Sequence, residues 1–149
     1  MGRKGLLLFV VAVVLAAAGC RHVVPASSDL WIDPGEAVLR AAAASPKGVT
    51  GVFAMTVQAG GRTDEVFLNS ELDYRDPRNL SIALSPDVAA ELELALGGAP
   101  EVVLQGRRIL VSGTAQTVRI DILTAGRPTG KYYYQTHVRV DRASQIRVL

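Results

Sequence analysis

Residues 66–84 read VFLNSELDYRDPRNLSIAL, and the rest of the chain is organised around this stretch. Two short runs of β-forming residues, 66–69 and 80–84, flank a polar connector at residues 73–79 that is dense in turn formers and charges. This order predicts a strand, a rigid loop and a return strand. In the return strand Ser81 and Ala83 alternate with the large apolar residues, so we expect those two side chains to face outward.

The N-terminal residues have the composition of an export signal. A basic start with Arg3 and Lys4 precedes thirteen uninterrupted apolar residues, 6–18. As a helix at ~1.5 Å per residue, this run would span ~20 Å of a hydrocarbon layer that is ~30 Å thick, which is too short for a comfortable membrane span. We therefore interpret residues 1–19 as a signal peptide that is removed on translocation.

Cys20 is the only cysteine and directly follows this segment. The run Ala17-Ala18-Gly19-Cys20 resembles the lipobox of bacterial lipoproteins, whose cysteine becomes the lipidated first residue. An unpaired thiol in an oxidising compartment otherwise needs its own explanation. The resemblance implies a membrane anchor through Cys20 and, because Arg21 is not the aspartate that retains such proteins at the inner membrane, an outer-membrane location facing the periplasm. The alternative is ordinary cleavage after Ala18, since the preceding alanines also fit an A-x-A site.

The mature chain is close to electrically neutral. Removal of the signal also removes Arg3 and Lys4, which leaves fourteen basic and fourteen acidic side chains. The basicity of the whole chain therefore belongs to its targeting segment and is not the footprint of a nucleic-acid-binding protein. The distribution is uneven, because residues 107–149 carry eight basic and only two acidic side chains. The last third of the chain is thus locally positive.

We divide the mature chain into a tether, a short helix and one β-rich domain. Residues 20–32 have no hydrophobic period and several small side chains, which is typical of a flexible tether. Residues 33–46 are interpreted as an N-terminal helix, and residues 47–149 as the domain.

The N-terminal helix has a clear start signal. Asp33 is its predicted cap, Pro34 occupies the first helical position, and Glu36 is expected to reach back and complete a capping box. Its alanines favour helix intrinsically, but its only large apolar residues are Val38 and Leu39. We therefore expect this helix to bury little surface and to pack at the edge of the domain.

From residue 49 onward the hydrophobic period changes to two, which indicates β-strands. Residues 59–62 are predicted as a turn, and Gly113 suits a bulge or a barrel corner within a long strand. A helix that begins at Ser85 and ends at Gly97 separates the third strand from the fourth. The five predicted strands are residues 49–58, the two runs of the 66–84 hairpin, residues 108–123, and residues 132–140 after a loop at 125–131.

This order of elements resembles the OB-fold, a five-stranded, partly open barrel with its helix between strands three and four. Residues 106–113 lead into strand four as in that fold, and residues 141–146 are similar to the closing segment of OB-type domains that accompany nucleic-acid enzymes and some exported bacterial proteins. The resemblance covers residues 49–149. It implies a mainly β domain with one or two helices, built as a small OB-fold-like barrel, and its motifs carry no catalytic residues.

The resemblance also implies a binding surface, formed by strands two and three with the loops that join strands one and two and strands four and five. We expect the outward face of the hairpin, with Phe67, Asn69 and Ser81, to lie at its centre. The full set of candidate binding residues is Arg62, Phe67, Asn69, Arg127, Lys131, Tyr132 and Tyr134.

Cations beside aromatic rings, as at Arg127, Lys131 and the tyrosines that follow, are the chemistry of single-stranded nucleic-acid binding. The competing interpretation is that Tyr132 and Tyr134 pack against strand neighbours with exposed arginines beside them. The neutral charge of the mature chain and its export favour the second interpretation.

The sequence contains no catalytic or cofactor-binding set. The connector carries several oxygen-bearing side chains that calcium accepts, but turn formation and neutralisation by Arg75 and Arg78 account for them without a metal. Neither His22 nor His137 has a partner that the sequence identifies. A serine elbow, a nucleophilic cysteine and phosphate-binding glycine motifs are likewise absent from the sequence, so we expect neither an enzyme nor a cofactor.

Two functions remain. The first is a non-enzymatic, lipid-anchored cell-envelope protein whose OB-like barrel is a binding or interaction module, with another protein or an envelope polymer as its partner. The second is an oligonucleotide-binding domain that uses the basic, tyrosine-bearing loop face.

Overall fold

The computed structural model of the chain describes residues 30–149. The predicted signal peptide, Cys20 and all but the last three residues of the expected tether lie outside the described residues. Ile32, the final residue of that tether, pairs in parallel with Phe53 through two backbone hydrogen bonds, Ile32 N–H to Val52 O at 2.8 Å and Ala54 N–H to Ile32 O at 3.0 Å.

The described part of the chain is mainly β, as predicted, and its sheet is curled into an open half-barrel. The helices that pack on it include the one predicted after the 66–84 hairpin, and a 3-10 turn at Ala143–Gln145 precedes the last strand. The elements in chain order are α1 (Pro34–Ala43), β1 (Val49–Thr56), β2 (Ala59–Arg62), β3 (Val66–Asn69), β4 (Leu80–Leu84), α2 (Pro86–Leu96), α3 (Pro100–Val103), β5 (Arg108–Thr124), β6 (Arg127–Val140) and β7 (Ile146–Val148).

The strands follow the order β1-β5-β6-β4-β3-β2, and β7 pairs with the first part of β5 on the edge opposite β1. Neighbouring strands are antiparallel except for β4 and β6, which run parallel. β1 and β2 lie at the two ends of this order, although only Val57 and Gln58 separate them in the sequence. Among residues 30–149, no helix has the length and apolar character that crossing a membrane requires.

One face of the sheet is covered by the helices and forms the hydrophobic core. Most of the fully buried side chains of this core come from alternate positions of the strands, so the period-two pattern positions them, and Leu104 joins them from the end of α3. The largest of them are Phe53, Val57, Val66, Leu68, Leu80, Ile82, Leu84, Leu104, Ile109, Val111, Val138 and Val140.

Helix α1 contributes more to the core than its sequence indicates. Its buried residues are Ala37 and Ala41, both 0% exposed, whereas Leu39 is 74% exposed. Small side chains let the helix backbone approach the sheet closely, so its alanine stripe and not its larger residues defines the packed face.

The N-terminal cap of α1 at Asp33 is confirmed, because its Oδ1 accepts from the Glu36 N–H at 2.9 Å. The expected capping box is not formed, since the Glu36 carboxylate binds Arg40 one turn later.

The predicted turn at residues 59–62 was wrong, because these residues form strand β2 and pair with β3. The two glycines there are explained by packing. A Cβ on Gly60 would lie 2.6 Å from the Glu101 carbonyl oxygen of α3, whereas a Cβ on Gly61 would meet nothing within 4 Å. Gly60 thus marks a close approach of strand and helix, which a strand glycine signals as often as a turn.

Strands β5 and β6 form a long hairpin that extends beyond the rest of the sheet. The connection is only Ala125 and Gly126, with φ of 49° and 75°, so the predicted loop at 125–131 was too long. Positive φ at both central residues is typical of the tight hairpin turn that matches strand twist.

The expected bulge at Gly113 was also wrong, since the register shift lies between Asp121 and Leu123. A Cβ on Gly113 would lie 2.7 Å from Val138 Cγ1, which explains the glycine.

The contact between β2 and α3 predicts different effects for two adjacent substitutions. Gly60→Ala forces a methyl group against the α3 backbone, so we expect it to lower the free energy of unfolding by ~1–3 kcal/mol, the usual range for overpacking. Gly61→Ala is the matched control and should leave that free energy nearly unchanged. Urea unfolding followed by circular dichroism measures both. Equal effects of the two substitutions would contradict the proposed packing role.

Candidate binding groove

The face of the sheet opposite the helices carries a groove whose floor combines polar and aromatic side chains. Asn69 of β3 is paired in register with Ser81 of β4, and Ser81 is paired with His137 of β6. Cross-strand partners lie on the same face of a sheet, so these three side chains are direct neighbours across three strands. Phe67 lies two residues before Asn69 on the same face, and its ring contacts that of His137 with centroids 5.8 Å apart.

This binding groove has a volume of about 450 Å³. The β5–β6 hairpin contributes one wall. Leu72, just before the polar connector, and Tyr74 within it contribute another, and β2 closes the remaining side. The wall on the hairpin consists of Ile120, Tyr133, Gln135 and His137. The volume falls within the ~300–1,000 Å³ that is typical of small-molecule sites.

A buried amide–hydroxyl cluster holds the floor of the groove to the connector. Asn79 is its centre and is 2% exposed. The Asn79 Nδ2 donates to Asn69 Oδ1 at 3.1 Å, to Ser81 Oγ at 2.9 Å and to the Tyr74 carbonyl oxygen at 3.3 Å. Ser70, the remaining member, accepts a hydrogen bond from the Leu80 N–H at 2.9 Å. Buried polar groups are costly unless bonded, so this cluster fixes how the connector leaves and re-enters the sheet.

The cluster also determines which way the Asn69 amide points. The Glu71 N–H can only donate, so the Asn79 atom that it contacts at 3.1 Å is Oδ1 and the other atom is Nδ2. The Asn79 Nδ2 in turn requires an acceptor, so the Asn69 atom in the cluster is Oδ1, which also accepts from Ser81 Oγ at 2.7 Å. Asn69 is 5% exposed and lines the groove, and its Nδ2 has no hydrogen-bond partner among residues 30–149. This Nδ2 is a free donor on the groove floor.

The protonation of His137 follows from the same kind of argument. The Gln135 Nε2 donates to the Tyr74 carbonyl oxygen at 3.0 Å and to Tyr133 Oη at 3.3 Å. The Gln135 Oε1 is therefore the atom that contacts His137 Nε2 at 2.7 Å, and it accepts the Nε2–H. Burial lowers the pKa of His137 below its ordinary value, so the ring is neutral at pH 7. In this tautomer Nδ1 carries a lone pair and is a hydrogen-bond acceptor.

The connector neutralises its own charges, as the sequence predicts. Asp73 accepts from the Arg75 N–H at 2.9 Å, and Asp76 accepts from the Arg78 N–H at 2.9 Å and from the guanidinium of Arg78. The hydrogen bonds from Arg78 lower the pKa of Asp76 to about 2. Among the described residues, no group of three or more His, Cys, Asp or Glu side chains is placed to hold a metal ion. The bonds that Asp73 and Asp76 accept from backbone N–H groups two residues later stabilise the turns of the connector.

The structure brings three of the predicted site residues to the groove. Phe67 and Asn69 lie on its floor, together with Ser81, and Arg62 lies on its rim. Arg62 is bound there by two acids, with Nε 2.6 Å from Glu101 Oε1 and Nη2 3.5 Å from Glu93 Oε2. The hydrogen bond that Arg62 donates to the Glu101 carboxylate raises the pKa of the guanidinium. Its positive charge is thus already compensated and is not a free cation for the groove.

The other four predicted site residues lie elsewhere. Arg127 and Lys131 are exposed near the tip of the hairpin. Tyr132 and Tyr134 lie on the face of β6 opposite the groove, where their rings meet edge to face at 5.6 Å. The Arg119 guanidinium lies 4.1 Å from the centre of the Tyr132 ring.

Tyr133, Gln135 and His137 are groove residues that were not among the candidates. The alternation of β6 places them on one face and Tyr132 and Tyr134 on the other, so the period was sufficient to separate the two sets. The missing information was which face of β6 continues the floor formed by Asn69 and Ser81, and only the strand pairing supplies it.

No protein-family model matches the chain, and no curated protein matches it.

The amide–hydroxyl cluster predicts a large effect for one substitution in the connector. Asn79→Ala removes the bonds to the Glu71 N–H, the Asn69 and Ser81 side chains and the Tyr74 carbonyl oxygen, so we expect the free energy of unfolding to fall by ~2–4 kcal/mol. Urea unfolding measures it. Asp73→Ala is the control, because within residues 30–149 this exposed side chain bonds only to Arg75, so its loss should shift the urea midpoint far less than Asn79→Ala does. A small effect of Asn79→Ala would refute the role of the cluster.

Proposed function

We propose that this chain is a non-enzymatic, lipid-anchored protein of the cell envelope whose β domain binds a ligand in the groove. The observation that carries the proposal is the groove floor, where Asn69, Ser81 and His137 are neighbours across three strands beside the Phe67 ring. A concave surface with aromatic walls and a few fixed polar groups is what small-molecule and polymer subsites require. The ligand is a component of the envelope, a polymer or another protein.

The polar side chains of the groove floor are preorganised by hydrogen bonds within the protein. The cluster around Asn79 fixes the Asn69 amide, and Gln135 fixes the His137 ring, so the floor loses little conformational entropy when a ligand binds. A ligand therefore meets donors and acceptors that already point in defined directions.

The hydrogen bonds of Ser81 and His137 favour binding over nucleophilic catalysis. A serine nucleophile is activated when it donates its proton to a histidine. The Ser81 hydroxyl instead donates to Asn69 Oδ1 at 2.7 Å, and the His137 Nε2 is bonded to Gln135. Although the two residues are paired in register, they do not form the hydrogen bond that would activate the serine.

We also infer that the domain is an OB-type barrel. The parallel pairing of β4 with β6 and the strand order support this, if β1 and β2 are two halves of one first strand that bends at Val57 and Gln58. In this interpretation the groove lies on the outer face of the second and third strands, which is the usual binding face of that fold. The fold analogy agrees with the position of the site but does not identify the ligand.

Lipidation of Cys20 would place the domain near the membrane surface. Ile32 is hydrogen-bonded to strand β1, so about a dozen residues separate Cys20 from the sheet. A fully extended segment of about a dozen residues would span ~40 Å at ~3.3–3.6 Å per residue. An outer-membrane anchor on the periplasmic side would let the groove reach polymers and proteins of the envelope.

The anchor is tested by growing cells that express the chain with radioactive fatty acid. We expect the wild-type protein to be labelled and Cys20→Ala to be unlabelled, because the thiol is the attachment point. Mass spectrometry of the purified protein checks the alternative. A mature chain that begins at Gly19 without lipid would show ordinary cleavage after Ala18 and refute the anchor.

The binding role is tested by placing a photocrosslinking amino acid at residue 133 or at residue 134 in living cells. These neighbours project from opposite faces of β6, so they form a matched pair. We expect a reproducible crosslink to one envelope component from position 133, reduced at least five-fold from position 134. Crosslinks of equal yield from the two positions, or turnover of a substrate by the purified protein, would contradict the proposal.

The alternative function is oligonucleotide binding by the opposite face of the hairpin. The Arg119 guanidinium over the Tyr132 ring, with Tyr134 beside it, supports this alternative because bases stack on such aromatic platforms. It requires single-strand binding that weakens with salt and is sensitive to Tyr134→Ser but not to Tyr133→Ser. The two functions therefore predict opposite effects on binding for substitutions of Tyr133 and Tyr134.

A further inference from the structure

We propose that the groove recognises the acetamido group of an N-acetylated sugar, so that its ligand is an uncharged, N-acetylated glycan. The inference rests on the proposed binding function and specifies the chemistry of the ligand. It is carried by the free Asn69 Nδ2 on the groove floor and by the fixed tautomer of His137 two strands away.

The groove floor offers one donor and one acceptor that the protein leaves unused. The Asn69 Nδ2 has no partner among the described residues, although Asn69 is 95% buried. Within residues 30–149 the buried side-chain polar atom without a partner is Thr117 Oγ1, so the Asn69 Nδ2 is itself open to the groove and can donate to a ligand that supplies an acceptor. The His137 Nδ1 is the complementary acceptor, because its Nε2–H is already donated to Gln135. A secondary amide supplies one carbonyl oxygen and one N–H, which match this pair.

The walls of the groove suit the apolar parts of the same ligand. Phe67 and Tyr133 present ring faces or edges to the cavity, with Ile120 beside them. The methyl group of an acetamide and the C–H face of a sugar ring are apolar surfaces that such side chains cover. The hydroxyl of Tyr133 provides a further polar contact at the edge of the ligand.

The charges around the groove disfavour an anionic ligand. Arg62 is the cation on the rim, and both carboxylate oxygens of Glu101 bind it, at 2.6 Å and 3.0 Å, with Glu93 nearby. A phosphate or carboxylate would have to compete with these acids for the guanidinium. The polar groups of the floor are an amide, a hydroxyl and a neutral imidazole, so an uncharged ligand is the electrostatic match.

The strand pairing favours a sugar over an extended peptide. A peptide that adds to a sheet needs a strand edge with free N–H and C=O groups. At the groove floor β3 lies between β2 and β4, and β4 lies between β3 and β6, so their backbone groups are already paired. A ligand on this floor is therefore recognised through side chains, as a sugar would be.

The test uses the purified full chain in detergent and fluorescence polarisation of a labelled β-1,4-linked hexamer of N-acetylglucosamine. The matched ligand is the labelled glucose hexamer with the same linkage, in which a hydroxyl group replaces each acetamido group. We expect the acetylated hexamer to bind at least ten-fold more tightly. His137→Phe keeps the ring that contacts Phe67 and removes the acceptor, so it should weaken binding of the acetylated hexamer about ten-fold.

Tyr133→Ser should also weaken binding at least ten-fold, and Tyr134→Ser on the opposite face should leave it within two-fold of wild type. Urea unfolding shows that each variant used is folded. Equal affinities for the two hexamers, no measurable binding of the acetylated one, tighter binding of an uncharged capped peptide, or an unchanged affinity of folded His137→Phe would each overturn the inference. If the crosslink from position 133 then identifies an envelope component without acetamido groups, the binding function stands and only this assignment fails.

Discussion

The structure depends on one buried amide. Asn79 lies at the end of the connector, yet it is almost completely buried and binds groups from both strands of the hairpin. Each of its amide atoms is committed, so the connector has one low-energy way to return to the sheet. That constraint sets the position of Tyr74 over the sheet and the orientation of Asn69 on its floor. The architecture of the loop and the chemistry of the groove therefore have the same cause.

The charges of the connector support this arrangement without contributing to the groove. The Asp73–Arg75 and Asp76–Arg78 pairs are local, each formed across two residues, and the acids also accept backbone N–H bonds. Such pairs stabilise the turn conformation more than they stabilise the whole domain, because exposed ion pairs gain little in water. Polar side chains of the loop thus divide into an outer set that shapes the turns and an inner amide that joins them to the sheet.

The β5–β6 hairpin separates two surfaces of different chemistry. Consecutive tyrosines of β6 alternate between them, with Tyr133 facing the groove and its two neighbours facing Arg119 on the other side. The groove offers neutral hydrogen-bonding groups and aromatic walls, whereas the opposite face offers a cation on a tyrosine ring. A single strand therefore presents both proposed binding chemistries, and they can be examined independently.

Several features follow from the amino-acid sequence alone: the mainly β class, the helix that begins after Ser85, the cap at Asp33, the turn chemistry of the connector and the outward position of Phe67, Asn69 and Ser81. These features depend on side-chain period and on contacts between residues close in the chain, which are readable without a structure. Only the tertiary structure decided the packing of α1 through alanines, the strand at residues 59–62, the compensation of Arg62 by an acid 39 residues away, and the choice of Tyr133 over Tyr134 for the groove. Each of these depends on which elements approach one another. In the sequence, a glycine at a close approach gives the same local signal as a turn, and a packed alanine gives the same signal as any helix residue.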